Sequence, residues 1–369
     1  MVSLSRLWLV GALVVGIVLA ACAPASAPSA PAASAPAPPA SAPGGAPAPP
    51  AAAAAPRELT PLTVGRAAVR VTVAPLWLAQ ELGYFAEEGL AVDDQLLRSA
   101  PAVEAALVAG DLQIGFTGMA TALTARAGGS EDVMTASYLD VALGELEVRP
   151  DIVQPADLRG RILGVQSIGG TVHIRGLLAL QKLGLDVERD HIQVIQAGDD
   201  PTLAQGLIAG AIDAAPISYT SAAVARANGM HGWDLGELGV AESSVSVITT
   251  ATIARERPAL IESFLKGLAR GVHYLKQGQT DAAKRDRALQ VVAGKLQVAP
   301  DAVATELDKV AEYSRIDLVP DRAALTEFRA AVVRQAPEAE RVSVDDLLDL
   351  SFVQKLDREG FFQQLAATP

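Results

Sequence analysis
The chain predicts an α/β protein with two parallel sheets covered by helices, and three observations lead there. After an N-terminal stretch, short apolar runs alternate with helix-patterned segments, the pattern of parallel strands joined by crossover helices. A helix–glycine–strand unit recurs. Val108-Ala109-Gly110-Asp111-Leu112-Gln113-Ile114 and Ile208-Ala209-Gly210-Ala211-Ile212-Asp213-Ala214 share one design, with glycine where a left-handed cap ends a helix. Upstream of each lies a second match, Glu88-Gly89-Leu90 and Leu183-Gly184-Leu185, in the same order. Two lobes of similar topology are therefore expected, and the chain beyond Pro56 is long enough for two domains of roughly 150 residues each.

Taken in order, Leu62 to Gly65 reads as a strand, Pro75 to Glu87 as a helix and Ala91 to Leu97 as a strand. Pro101 to Ala109 is helical, and Leu112 to Phe116 and Val133 to Leu139 are strands. The middle repeats the alternation: strand Arg161 to Val165, helix Thr171 to Leu183, strand Ile192 to Gln196, helix Thr202 to Ala209, strand Ile212 to Ala215, helix Ser221 to Asn228. A last strand, Val245 to Ile253, precedes an almost wholly helical remainder beginning with Pro258 to Gln277. Pro258 suits a first helical turn, where its missing N–H costs nothing.

The N-terminus reads as an export signal. Arg6 is followed by an apolar run, Leu7 to Ala21, too short to cross roughly 30 Å of hydrocarbon. The run ends in Leu19-Ala20-Ala21-Cys22, which resembles the bacterial lipobox and makes Cys22 the lipidation candidate. Residues 1–21 are then a lipoprotein signal peptide. Residues 22–56, rich in alanine and proline, form an extended tether reaching on the order of 100 Å at about 3 Å per residue.

The formal net charge is −12, without a long Lys/Arg run, which argues against nucleic acid and against a polybasic membrane surface. Cys22 is the one cysteine, so neither an intrachain disulfide nor a cysteine-built metal site is available. His173, His191, His231 and His273 lack zinc-ligand spacing, and no Walker-type or Gly-x-Gly-x-x-Gly loop occurs. No cofactor and no catalytic group are expected. In open α/β sheets ligands bind outside the carboxyl ends of the strands, where helix starts offer free N–H groups. Three such turns are small or hydroxylated: Thr117-Gly118-Met119, Ser167-Ile168-Gly169-Gly170-Thr171 and Pro216-Ile217-Ser218-Tyr219. Each is equally readable as a helix cap, but all three fall on the same edge.

Pro75-Leu76-Trp77-Leu78-Ala79-Gln80-Glu81-Leu82-Gly83-Tyr84-Phe85-Ala86-Glu87-Glu88-Gly89-Leu90 resembles the first-helix signature of ABC-importer solute-binding proteins of the nitrate/sulfonate/taurine and thiamine-precursor group. Ala106 to Phe116, Asp157 to Val165, Gly206 to Ala215 and Glu256-Arg257-Pro258 resemble further segments of that group. The resemblance implies a periplasmic-binding-protein-like fold of type II, with a ligand cleft between two lobes. It implies lobe 1 from residues 57–147 and 245–369, lobe 2 from 148–244, and crossings near Gly144 to Val148 and Gly239 to Val245. Carried over by position, the cleft would be lined by the loop Arg66 to Ala74, Thr117-Gly118-Met119, Tyr138, Gly169-Gly170-Thr171 and Ser218-Tyr219. Arg66 and Arg70 are suited to an anionic headgroup or to the surface of that loop. Trp77 faces the cleft or packs the first helix on its sheet. Ser218-Tyr219 stands where many relatives carry a Trp-Glu-Pro-like segment.

The expected function is a lipid-anchored, monomeric solute-binding protein that delivers a small molecule to ABC permease subunits. It would be exported to the cell envelope and held at a membrane only by its lipid. Two rivals remain: an enzyme on the same fold, like the pyrimidine-precursor synthases, and a ligand sensor coupled to a receptor.

Overall fold
The computed structural model describes residues 58–368 except Ala68, Arg98 and Ser244. The signal peptide, the tether and Cys22 lie outside the described residues. None of the described helices is long and apolar enough to cross a membrane.

Among the described residues, ten strands form two five-stranded sheets. The first contains β1 (Thr60–Arg66), β2 (Leu90–Leu96), β3 (Ile114–Thr117), β4 (Asp132–Ser137) and β10 (Ser246–Thr250), in the order β2-β1-β3-β10-β4. The second contains β5 (Glu145–Val148), β6 (Ile162–Val165), β7 (Gln193–Gln196), β8 (Ala214–Ile217) and β9 (His231–Asp234), in the order β7-β6-β8-β5-β9. The two orders correspond strand for strand, as the repeated helix–glycine–strand units imply. Gly110 and Gly210 take positive φ, 81° and 73°, and close the helices before β3 and β8.

The sheets are mixed, which corrects the expectation of two parallel ones. β10 runs antiparallel to β3 and β4, and β5 runs antiparallel to β8 and β9. Each is the strand that has just arrived from the other sheet, so it enters against the local direction. The short β5 and β9 were not anticipated, and β5, the first strand of the second sheet, begins at Glu145. The two crossing segments pair with each other: Ala142 N–H donates to the Val240 carbonyl at 2.8 Å, and Glu242 N–H to that of Asp140 at 3.2 Å.

The helices follow the sequence closely, with two differences. The expected helix Pro75 to Glu87 is divided into α1 (Ala74–Glu81) and α2 (Tyr84–Glu87), because Gly83 adopts φ 77° between them. The expected strand to Ile253 stops at Thr250, whose hydroxyl accepts from the Ile253 N–H and starts a helix instead. The other helices are α3 (Ala100–Ala109), α4 (Met119–Ala127), α5 (Thr171–Lys182), α6 (Asp200–Ala209), α7 (Tyr219–Ala227) and α8 (Ala251–Glu256). They continue with α9 (Pro258–Gln277), α10 (Ala282–Leu296), α11 (Asp301–Tyr313), α12 (Arg322–Gln335), α13 (Val344–Leu347), α14 (Ser351–Arg358) and α15 (Phe361–Ala366). α9 buries Leu260, Ile261, Phe264, Leu265, Leu268, Val272 and Leu275 along one face, at the three- and four-residue spacing of an amphipathic helix. It approaches α1 so closely that a Cβ on Gly271 would stand 2.1 Å from the Pro75 carbonyl oxygen.

Candidate functional site
Two adjoining cavities, of about 390 and 700 Å³, lie at the carboxyl ends of the parallel strands of both sheets. Arg70, Thr72, Gln166 and Val172 border both. The turns that lead from β2 to α3 and from β3 to α4 contribute from the first sheet, and those from β6 to α5, β7 to α6 and β8 to α7 from the second. This is the edge where an open α/β sheet presents free helix N–H groups.

These helix starts are not equivalent. Ser99, Asp199 and Ser218 accept from backbone N–H groups and cap α3, α6 and α7. Gly118 and Gly170, at the starts of α4 and α5, supply no capping side chain, and both line the larger cavity. Glycine there gives the first-turn N–H groups no side-chain partner, although the Met119 N–H of α4 donates to the Ser243 carbonyl at 2.9 Å, and the dipole makes each helix start partially positive. Gly170 has φ −78°, so no positive-φ constraint demands glycine at that position.

Of the residues singled out in the sequence, Arg66, Arg70, Thr117, Gly118, Ser167, Gly170 and Thr171 border the larger cavity and Ser218 the smaller, which Arg70 also borders. The remaining five line neither, and each has a physical reason. Trp77 is fully buried, donates Nε1–H to Asp94 at 3.2 Å and lies under the Arg66 guanidinium. Arg66 itself is paired with Asp94. Met119 is buried in the core at the start of α4. Tyr138 is fully buried and donates its hydroxyl to the Thr72 carbonyl at 2.6 Å, which steadies the loop carrying Arg70. Gly169, at φ 80°, donates its N–H to His173 Nδ1 at 2.9 Å. That bond needs a neutral ring, and burial holds the His173 pKa below its usual value. Tyr219 points away to Asp234 at 2.8 Å; burial and that carboxylate raise its pKa.

The smaller cavity contains charges that the sequence reading passed over. Arg175 and Glu242 make a bidentate pair at 2.6 and 2.8 Å, almost sealed from solvent, and join α5 to the second crossing segment. Asp200 accepts from the Ser218 N–H at 3.1 Å and from its hydroxyl. Glu306 comes from α11, far along the chain. Burial and the nearby Asp200 push its carboxyl up to about 7, against the opposing pull of Arg70 and Arg175. The Asp199-Asp200-Pro201 turn had a sequence signal, since it follows a strand and opens a helix. Glu306 had none.

Residues 71–282 match the NMT1/THI5-like family. The chain belongs to that family. A binding protein of Bacillus subtilis (strain 168), YtlA, is 28% identical over 156 residues, covering 41% of this chain. The match spans 46%, about half, of that relative's own length. The periplasmic sulfonate-binding protein SsuA from Methylobacillus flagellatus KT is similar in structure, with TM-score 0.65 and 14% identity over 83% of this chain and 96% of that one. The desulfurization enzyme DSZB is also similar, with TM-score 0.58 and 18% identity over 81% and 99% of the two chains. At these identities the likeness establishes the fold, a periplasmic-binding-protein fold with two mixed sheets.

Proposed function
We propose that this protein is the lipid-anchored solute-binding component of an ABC import system, taking a small organic solute of sulfonate-, nitrate- or pyrimidine-precursor-like chemistry. One observation carries the reading: helix starts from two sheets, two of them without capping side chains, converge on one cleft. The sheets act as lobes joined by the paired segments 138–144 and 235–245. Solute contacts available only when the lobes close would shift the open–closed equilibrium, and the transporter would recognise the closed form. Names borne by relatives, a binding protein and a periplasmic sulfonate-binding protein, support the same reading. Lobe boundaries near residues 148 and 244, and anchoring through Cys22, belong to this proposal.

The enzyme reading has one specific observation behind it, the shared fold of DSZB. A single assay separates the two. The full chain is melted against alkanesulfonates, nitrate and aminopyrimidines, and any stabilising compound is recovered and weighed by mass spectrometry. A compound that raises the melting temperature and returns unchanged is the expected result. A compound returned chemically altered would favour the enzyme, and no stabilisation by any class would overturn the proposal.

A further inference from the structure
We propose that a further cavity, which shares no residue with the cleft, holds the chain's own Ala/Pro-rich segment, with Ala46-Pro47-Ala48-Pro49-Pro50 docked there as a polyproline II strand. The inference is independent of which solute the cleft takes.

This cavity, of about 570 Å³, lies among α2, α9, α10 and α15. Three half-buried aromatic side chains, Tyr84, Tyr274 and Phe361, wall it. Phe361 is steadied edge-on by Phe362, with ring centroids 5.4 Å apart. The charged groups around the cavity already have partners. Arg270 pairs with Glu87 at 2.6 Å and with Glu88 at 3.0 Å, and Lys284 donates to Gln277 Oε1 at 2.9 Å. His273 and Gln277 are taken up with each other and with the Thr368 carbonyl. What remains is neutral. Among the described residues, neither the Tyr84 nor the Tyr274 hydroxyl makes a hydrogen bond. Burial raises the pKa of each, so both stay O–H donors. Aromatic walls with unused hydroxyl donors and no charge to spare suit an uncharged occupant rich in carbonyls. Polyproline strands dock in aromatic grooves of this kind.

The sequence supplies such an occupant within reach. Ala35-Pro36-Ala37-Pro38-Pro39 and Ala46-Pro47-Ala48-Pro49-Pro50 repeat one motif, and no charge occurs from Ala23 to Pro56. Polyproline II has three residues per turn, so Pro47 and Pro50 fall on one face, and its carbonyls are free of internal bonds. Proline offers no N–H that the groove would have to satisfy. The chain enters the first sheet beside the cavity. Thr60 N–H donates to the Gly89 carbonyl at 2.8 Å, and Thr60 faces Leu90 in the β1–β2 ladder. Glu87, which borders the cavity, stands three residues before Leu90. At roughly 3.5 Å per residue and 4.8 Å between strands, Thr60 is then within about 15 Å of the cavity edge. The chain from Pro50 to Thr60 spans on the order of 30 Å as polyproline II, so the nearer motif reaches with slack. Tied this closely, it is present at an effective concentration in the millimolar range, and a weak groove is enough to hold it. Docking shortens the tether to residues 22–45, on the order of 70 Å at about 3 Å per residue.

A nitroxide attached through Ser41→Cys, in the full chain carrying Cys22→Ala, tests the contact by amide NMR. Ser41 lies upstream of the motif, so docking of Pro47 to Pro50 brings it to the cavity. Signals of Gln364 and of α2 should lose at least half their intensity relative to the reduced label. They should recover in Tyr84→Phe/Tyr274→Phe, which keeps both rings and whose folding is checked by thermal melting. They should recover equally in Pro47→Ser/Pro50→Ser, which keeps the tether's length and alters no described residue. No loss in the starting chain overturns the proposal. So does a loss that survives either pair of substitutions: surviving the prolines marks simple tethering, and surviving the tyrosines marks another groove. A loss seen only when spin-labelled and isotope-labelled chains are mixed assigns the cavity to a second copy and overturns docking within one chain.

Discussion

Glu104 gives a prediction that needs no ligand. It sits on α3 with 6% of its surface exposed, and neither carboxyl oxygen receives a hydrogen bond from a donor of the protein. Its neighbour is Asp132 at the start of β4, fully buried and bonded through its other oxygen to the Ser130 hydroxyl at 2.6 Å. Burial raises the Glu104 pKa first; its hydrogen bond with Asp132 and the charge there raise it further, to about 9. Two carboxyls in so dry a place share a proton rather than both ionise. In the unfolded chain Glu104 ionises near pH 4.5, while in the folded chain it keeps its proton to about pH 9. The folded state therefore binds more protons across that window, and stability falls as pH rises. At about 1.36 kcal/mol per unit, the loss between pH 5 and 8 reaches at most about 4 kcal/mol. Glu104→Gln keeps the shape, offers Asp132 a permanent N–H donor and removes the titration. Urea unfolding at pH 5, 7 and 8.5 should show the variant gaining on wild type by about 2–4 kcal/mol from the lowest to the highest pH. The interval from pH 7 to 8.5 is the most telling. Glu147 and Glu306, both pushed up to about 7, are half titrated at pH 7 but contribute equally to wild type and variant, so only Glu104 separates the curves. Parallel wild-type and variant curves there would refute the shared proton.

Three further outcomes are expected. Gly170→Asp, made in a Ser167→Ala background because the new Cβ would stand 2.4 Å from the Ser167 hydroxyl, should stay folded and gain about 0.3–1 kcal/mol at the start of α5. The same double variant should bind butanesulfonate at least tenfold more weakly than Ser167→Ala alone, and unchanged calorimetric affinity would remove Gly170 and Thr171 from the site. Arg175→Met strands Glu242 in a buried position and should cost about 3–5 kcal/mol in urea unfolding, most of it recovered in Arg175→Met/Glu242→Leu; equal losses in the single and double variants would sink the reasoning. Cys22→Ala should abolish metabolic palmitate labelling and release the protein from membranes, and a wild type that is unlabelled and soluble would end the lipoprotein reading.

Much of the fold was legible because its signals are local. Gly110 and Gly210 end their helices in the left-handed region, and each is followed by a buried strand, so seven residues describe the unit wherever it stands. The strand directions were not legible in the same way. β5 and β10 are antiparallel because of where the chain has just come from, and no residue within Glu145–Val148 encodes its arrival from the other sheet. β9 (His231–Asp234) hides for a related reason: it is only half-buried throughout, so it lacks the apolar alternation that marks a strand.

The site divides along the same line. Gly118, Ser167, Gly170, Thr171 and Ser218 could be assigned to the cavity edge from the sequence because a strand-to-helix turn has a recognisable composition and topology fixes the edge on which it lies. Tyr138 and Tyr219 line neither cavity, because position along the chain does not say to which side a side chain turns. Tyr138 goes into the core towards Thr72, and Tyr219 goes to Asp234. The charges of the smaller cavity come from α5, α6, α11, the second crossing segment and the loop after β1, and no two of these segments are adjacent in sequence. The start of α6 engages Asp199 locally, Ser218 at the start of α7 holds Asp200, and Arg175 and Glu242 satisfy each other. Glu306, brought in from α11, belongs to no local motif and joins the cavity only in three dimensions. A local motif fixes where a cleft can form, whereas the charges around it are brought together from distant segments only by the folded chain.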